Sequence, residues 1–439
     1  MERVVSRISP GEPQRQEVQR AAQGLIDLVK RLAEDLSLTV EVRLVGSVAK
    51  DTYVHRPDID VFIMFSPETP RKDMERYGLE IGRRAIGGEE RYAEHPYTHG
   101  LFLGYEVDVV PCYAINSPED LMSAVDRTPF HTEYVREHLL PRQKDQVRLL
   151  KQFMKGVGVY GAEARVQGFS GYLVELLVLR YHDFMGVINE SSRWREGTVL
   201  SLEGMEGREF STPLVFLDPV DKSRNVASAL SLQSFASYVQ ACREFLATPK
   251  EEFFFPRPLK AWSRTRVSEE MHLRGTKLLA VRLKRPELTD DNLFPQVRKT
   301  LDGMARMLES GDFLVLDKGF LVRKKYVDLI IELQTDSLPS GKKHTGPPVT
   351  SEHALSFLSK WRGRALTPPY IENGRWMAII ERKHKNAKDL VKEGLGKTSL
   401  GNDMRDLENM VVLSHSQLIR SGPYSTITAL LEKTFPWER

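Results

Sequence analysis

The stretch from Thr39 to Phe65 constrains the fold more than any other part of the chain. Thr39 to Val45 alternates, with Val40, Val42 and Leu44 on one face, as a strand does. Gly46-Ser47 breaks the alternation, a short helix is expected over Val48 to Tyr53, and Asp58 to Phe65 (DIDVFIMF) reads as a second strand. An amphipathic helix precedes this stretch over residues 14–35, where Val18, Ala22, Leu25, Val29 and Leu32 recur at three- and four-residue steps. A helix over 72–86 and a third strand, Glu106 to Tyr113 (EVDVVPCY), follow, the strand expected to be interrupted at Pro111. This β-α-β-α-β run predicts a compact α/β unit ending near residue 140.

The chemistry of that unit lies in its carboxylates. Side chains at i and i+2 of a strand share a face, so Asp58 and Asp60 place two carboxylates side by side, about 7 Å apart along the backbone. Like charges this close repel unless something compensates them. A divalent cation does so, and Mg²⁺ takes hard oxygen ligands from one or two carboxylates and substrate phosphates. Asp108, between Val107 and Val109, offers a third carboxylate. Three carboxylates on neighbouring strands suit two ions and in-line nucleotidyl displacement. Gly46-Ser47, between a strand and a helix, is expected to cradle phosphate with its backbone N–H groups and hydroxyl, and Lys50 to neutralise it.

From Lys144 the pattern is helical, over 145–156, 170–185 and 230–246. Phe255-Pro256-Arg257-Pro258 reads as a linker. A second α+β unit follows, with strands over 276–283, 313–322 and 326–334, a helix over 292–308, and an exposed basic loop at 340–348 (SGKKHTGPP). Arg148, Lys151 and Lys155 share one helix face and read as a phosphate-facing wall, with Leu149, Leu150 and Phe153 facing the core. His95 and His99 flank Pro96, which argues against a helical two-histidine zinc site. Gly394-Leu395-Gly396-Lys397-Thr398 lacks the first glycine of a P-loop, since Val391 stands there.

Composition sets bounds. The 439 residues carry 63 Lys and Arg against 60 Asp and Glu, so a nucleic-acid surface must gather its basic residues locally. Arg323-Lys324-Lys325, Lys342-Lys343-His344 and Arg382-Lys383-His384-Lys385 are the candidates for a surface that tracks phosphates of a folded RNA. Cys112 and Cys242 read as small buried hydrophobes rather than a disulfide framework. The densest apolar run, Tyr172 to Leu179, is short and carries Glu175, so no membrane span is expected and the cytoplasm is the default compartment.

The ordered strand, Gly-Ser, helix, Asp-x-Asp strand and later Asp strand resembles the nucleotidyltransferase superfamily of DNA polymerase β and the poly(A) polymerases. More of the chain narrows the likeness. LVGSVAKDTYV, DIDVFIMF, RYAEHPYTHG, VDVVPCY, SAVDRTPFH, VRLLKQFMKGVGVYGAE, GFSGYLVELL, DPVDKSRNVA, TDDNLFPQ and IENGRWM are similar, in order from residue 15 to roughly 380, to the archaeal-type (class I) CCA-adding enzymes, the tRNA nucleotidyltransferases.

That resemblance implies an α+β multidomain protein. Residues 1–142 are expected to form a polymerase-β-like catalytic domain, 143–256 a helical nucleotide-pocket domain, and 257–439 a C-terminal α+β tRNA-binding region. It implies addition of C, C and A to the tRNA 3′ end from CTP and ATP with Mg²⁺ and no template, repair of damaged ends, and a homodimer. By position, Asp58, Asp60 and Asp108 hold the metals, Ser47 and Lys50 contact the triphosphate, His131, Lys151 and Tyr160 line the nucleotide pocket, and Arg224 reads the base edge with Asp221 orienting it. Asp108 is expected nearest the attacking hydroxyl. Two residues depart from the family pattern, Asp58 where Glu is common and Lys50 where Arg is common; neither change removes a required chemical group. The alternatives are another nucleotidyltransferase, such as a poly(A) polymerase or small-molecule adenylyltransferase, and a catalytically silent RNA-binding protein. The unbroken carboxylate triad argues against the last.

Overall fold

In the computed structural model, which describes residues 1–92, 95–202 and 210–439, the chain opens with helices α1 (Glu2–Ile8) and α2 (Glu12–Asp35). Ala93 and Glu94, within the RYAEHPYTHG block, lie outside the described residues. Helix α2 buries the expected stripe of Val18, Ala22, Leu25 and Val29. Then follow β1 (Glu41–Val45), α3 (Gly46–Lys50), β2 (Ile59–Phe65), α4 (Arg71–Ile86), β3 (Glu89–Tyr92), β4 (Pro96–Phe102) and β5 (Tyr105–Tyr113).

These strands form one sheet in the order β1-β2-β5-β4-β3, parallel between β2 and β5 and antiparallel elsewhere. Ile59, Val61, Ile63, Val107 and Val109 pack with α2 and α4 residues in one core. Strand alternation therefore sends Asp60 and Asp108 to the opposite face. Strand β5 is not interrupted at Pro111, which pairs in register with Ile63. Its pairing with β4 ends at Val109, so the missing proline N–H breaks no ladder bond on that side. Gly78 lets α4 close on this proline: a Cβ there would meet Pro111 at 2.5 Å.

Contacts group Met1–Pro258 with Phe435–Arg439 in one unit. Its remaining elements are α5 (Arg127–His138), α6 (Lys144–Val157), α7 (Gly171–Tyr181), α8 (Phe184–Ser191), β6 (Thr198–Leu200), β7 (Leu214–Phe216) and α9 (Leu232–Ala247). The side chains of Ser170, Asp183 and Ser231 cap α7, α8 and α9. The helix expected over 170–185 is two helices, because His182 adopts φ +71° and Asp183 caps a new start. Phe153 packs against Phe184, Phe245, Phe253 and Phe254 at the centre of the helical core. The chain's last residues return here: Trp437 stacks on Phe253 with ring centroids 5.4 Å apart and donates its indole N–H to Glu244 at 2.6 Å.

Leu259–Thr434 form the second unit. Its elements are α10 (Arg264–Arg274), β8 (Lys277–Lys284), α11 (Asp290–Ser310), β9 (Val315–Val322), β10 (Tyr326–Leu333), β11 (Gly341–Pro348), α12 (Ala354–Trp361), β12 (Tyr370–Glu372), β13 (Arg375–Glu381), α13 (Ala387–Gly394), β14 (Val411–Leu413), α14 (His415–Ser421) and α15 (Tyr424–Leu431). An antiparallel sheet of order β14-β8-β10-β9 has α11 and α13 against one face and α10, α14 and α15 against the other. A three-stranded sheet, β11-β13-β12, completes it. The segment SGKKHTGPP is strand β11 rather than a loop, paired with β13 from Gly341 to Pro348. Among the described residues, no helix is long and apolar enough to cross a membrane.

Candidate active site

Asp60 and Asp108 are register partners across the parallel β2–β5 pair, and Asp58 immediately precedes β2. Neither Asp58 nor Asp60 has a hydrogen-bond or ion-pair partner among the described residues. On the other side of β5, His99 faces Asp108 in register and its Nδ1 lies 2.7 Å from Asp108 Oδ1. His99 is a residue the sequence reading left outside the site; only the antiparallel β4 makes it a neighbour. Burial, then the charges of Asp108 and Asp58, push the Asp60 carboxyl up to about 7, against the pull of Lys50. Burial, then Glu106 and Asp108, also raise Asp58.

Gly46 lies directly against Asp60. It adopts φ +71°, and a Cβ there would stand 2.1 Å from Asp60 Oδ2. Its N–H donates to Thr132 Oγ1 at 3.2 Å, which ties the Gly-Ser turn to α5. Ser47 is half-buried in the same turn.

Lys50 does not point a free ammonium outward. Its Nζ lies 2.5 Å from Glu175 Oε2 on α7, and both side chains are buried. Lys151 shares that carboxylate, 3.2 Å from Oε1, and donates to Thr52 O and Oγ1; Thr52 Oγ1 donates to Glu175 at 2.6 Å. Burial alone would raise Glu175, but Lys50 and Lys151 outweigh it and hold the carboxyl at about 2. Glu175 was visible in the sequence as the one charge inside the apolar run from Tyr172 to Leu179. A buried ionised group must be paired, and that was the signal to its role.

The expected phosphate-facing wall on α6 is revised in the same way. Arg148 is 1% exposed and its donors are taken by Asp145, Asp51 and the Tyr53 carbonyl, so it clamps the turn after α3. Leu149, Leu150 and Phe153 are buried as expected. Of the three cations only Lys155 is exposed. Its Nζ stands 5.2 Å over the Tyr160 ring, and its pKa is lowered by partial desolvation of the ammonium end and then by Lys151, while Asp58 opposes the shift. Tyr160 and Lys151 crowd the bare face of Gly171, where a Cβ would lie 3.1 Å from the Tyr160 hydroxyl and 3.8 Å from Lys151 Nζ.

His131 and Arg224 meet on one buried carboxylate. Asp218 Oδ2 accepts from His131 Nε2 at 2.8 Å and from Arg224 Nη1 at 2.9 Å. Tyr172 stacks on the His131 ring at 3.9 Å and donates its hydroxyl to Asp218 Oδ1. Asp221, the expected partner of Arg224, instead accepts from Arg127 Nε at 2.8 Å and from the Ser223 N–H and hydroxyl. The two networks approach at Tyr172, whose ring centre is 6.0 Å from Lys50 Nζ.

The donor set at the sheet fits a divalent cation: hard carboxylate oxygens, those of Asp58 and Asp60 unpaired, with the Asp60 carboxyl displaced upward by burial and then by its neighbours' charge. Among the described residues, no group of three or more His, Cys, Asp and Glu side chains is placed to hold a metal ion.

Three family models match successive parts of the chain: a nucleotidyltransferase domain over 25–131, the second domain of tRNA nucleotidyltransferase over 145–255, and the C-terminal domain of CCA-adding enzyme over 274–414. The CCA-adding enzyme of Methanosarcina barkeri is 41% identical over 414 residues, covering 92% of this chain and 91% of its own. That of Methanothermobacter thermautotrophicus is 41% identical, covering 90% and 87%, and that of Archaeoglobus fulgidus 39% identical, covering 87% and 86%. Identity at this level across nearly the whole length, with all three domain models matched in order, places the chain in the archaeal-type family of CCA-adding enzymes.

Proposed function

We propose that this chain adds C, C and A to the 3′ end of tRNA from CTP and ATP, without a nucleic-acid template, releasing pyrophosphate and also restoring damaged ends. The observation that carries the reading is the register pairing of Asp60 with Asp108, beside Asp58 and against the Gly46 turn. Asp58, Asp60 and Asp108 would hold Mg²⁺. An ion held there would supply Lewis acidity toward the tRNA 3′-hydroxyl and positive charge opposite the triphosphate and the leaving pyrophosphate.

The chain's own residues do the rest. Asp108 accepts the proton of the 3′-hydroxyl as its oxygen attacks the α-phosphorus and the bond to the β-phosphate oxygen breaks. His99 holds Asp108 Oδ1 and so fixes the orientation of the carboxylate. Ser47 and Lys155 receive the phosphates, while Lys50 and Lys151 supply positive charge from the buried Glu175 network behind them. Tyr160 and His131 line the nucleotide pocket, and Arg224 meets the base. Catalysis then rests on positioning and charge neutralisation, with no covalent enzyme intermediate.

Residues 1–142 serve in this proposal as the catalytic domain, 143–256 as the nucleotide-pocket domain and 257–439 as the tRNA-binding region. The enzyme works as a cytoplasmic homodimer. The test is incorporation of labelled CTP and then ATP onto tRNA lacking its CCA end, with and without Mg²⁺. A poly(A) polymerase ignores CTP in that assay, and a silent RNA-binding protein incorporates neither nucleotide.

A further inference from the structure

Asp218 is fully buried just after β7, and its carboxylate is saturated. Oδ1 accepts from the Tyr172 hydroxyl at 3.1 Å and the Val220 N–H at 3.0 Å, and Oδ2 from His131 Nε2 and Arg224 Nη1. A carboxylate offers about four acceptor sites, so none is left for a base, a phosphate or a metal. Whatever Asp218 does for the reaction, it does through these neighbours.

The neighbours are held but not used up. The Arg224 side chain is 33% exposed, and among the described residues its Nε and Nη2 have no partner. The loop that carries it is hydrogen-bonded to itself and to β7. Leu217 bridges Asn225, whose side chain accepts from the Phe216 and Ala227 N–H groups and donates to Thr212 Oγ1 and the Leu214 carbonyl. The Asp218 N–H in turn donates to the Arg224 carbonyl at 3.1 Å. One guanidinium nitrogen is thus fixed at a point that the backbone itself also fixes, and the free edge of the planar fork is aimed.

We propose that Asp218 is the positioning residue for base selection: by fixing Arg224 Nη1 and His131 Nε2 together, it presents the guanidinium's remaining donors at one angle to the incoming base. This rests on the reading of the site as a nucleotide pocket. Two parallel donors match the adjacent O2 and N3 acceptors of cytosine. Uracil places an N–H at position 3, where it opposes a donor. An aimed guanidinium therefore rejects UTP, and a swinging one does so less.

Asp218→Asn keeps the shape but turns one acceptor into an NH₂ donor, which must face either the Tyr172 pair or the Arg224–His131 pair. The experiment measures CTP and UTP incorporation onto tRNA lacking its CCA end, inhibition by tripolyphosphate, tRNA affinity and thermal unfolding. The ratio of kcat/KM for CTP over UTP is expected to fall about tenfold or more, the scale of a lost hydrogen bond to a charged group. Tripolyphosphate, which has no base, should inhibit the variant as it does the wild type, and tRNA affinity should hold. In the Arg224→Ala background the same change should lower the ratio no further. If Asp218→Asn does not fold, Asp218→Glu, which keeps the charge but displaces it, takes its place with the same expectation. A folded variant that keeps the wild-type ratio, or one that loses tripolyphosphate and CTP in equal measure, overturns the proposal. A wild-type enzyme with no preference for CTP over UTP overturns the reading of the pocket, and the proposal with it.

Discussion

Glu175 Oε2 and Lys50 Nζ stand 2.5 Å apart in a site that solvent scarcely reaches, with Lys151 on the other carboxylate oxygen. Removing one partner of such a group leaves an uncompensated buried charge. Glu175→Gln is therefore expected to cost about 3–5 kcal/mol in urea unfolding at pH 7. The pH dependence has a definite sign. The folded carboxyl titrates at about 2 against an ordinary 4.5, so its contribution is complete above about pH 5 and is lost as pH falls through about 2. Stability measured from pH 6 to pH 2 should fall in the wild type and fall less in Glu175→Gln.

The raised Asp60 carboxyl has the opposite sign. Its folded value of about 7 stands above an ordinary 3.8, so the metal-free protein loses stability as pH rises through that window. Asp60→Asn should raise the Tm of the metal-free protein at pH 8, on the order of 1–3 kcal/mol of stability. It should also abolish most of the Tm increase that Mn²⁺ gives the wild type. An Asn variant that is less stable than the wild type without metal and still stabilised by Mn²⁺ would contradict the reading of Asp60 as a buried carboxylate crowded by like charge.

Gly46→Ala tests the close approach of the turn to the carboxylate. The new Cβ would stand 2.1 Å from Asp60 Oδ2 at φ +71°, so either the turn or the carboxylate must move. A displacement of about 1 Å at a reacting centre is worth roughly 10² in rate. The expected result is a loss of kcat on that scale, with tRNA affinity kept, read in single-turnover CMP addition.

The second unit carries a groove of about 850 Å³ lined by Arg282, Lys284, Arg285, Lys324, Lys325 and Tyr326 among others. Among the described residues Lys284, Lys324 and Lys325 have no carboxylate partner. The other two basic clusters are largely spent within the fold: Lys342 and Arg382 on Asp312, Lys343 on Glu372, and Lys383 and His384 near Glu393. Lys324→Ala and Lys325→Ala should each weaken tRNA binding and reduce the slope of log affinity against log salt by about 1, whereas Lys343→Ala should leave the slope unchanged.

The sequence showed most where one local period governed. The helix at Glu12–Asp35 and the strand at Ile59–Phe65 start within two residues of where the apolar pattern placed them, and end where it did. The Asp-x-Asp pair and Asp108 were legible because charge inside an apolar strand is costly and therefore informative. What stayed hidden depends on partners far along the chain. Lys50 and Glu175 are 125 residues apart, and no local pattern joins them. Arg148 looked like part of a solvated stripe because its acceptors, on Asp51 and Tyr53, come together only through the turn after α3. The link from Arg224 to Asp218 rather than Asp221 was decided by a tight loop whose geometry Asn225 sets. Pro111 was read as a break because it lacks an N–H; the strand continues because the pairing with β4 stops two residues earlier, at Val109, a fact of sheet order and not of local propensity.

The central claim is that Asp60 and Asp108 hold the catalytic charge for nucleotidyl transfer. It is tested most directly by the single-turnover rate of CMP addition to tRNA lacking its CCA end, in Mg²⁺, for Asp60→Ala and Asp108→Ala beside the wild type. The rate should fall by at least about 10³ in each variant, the scale of lost electrostatic preorganisation, with tRNA affinity preserved. Near-normal addition by either variant would contradict the claim.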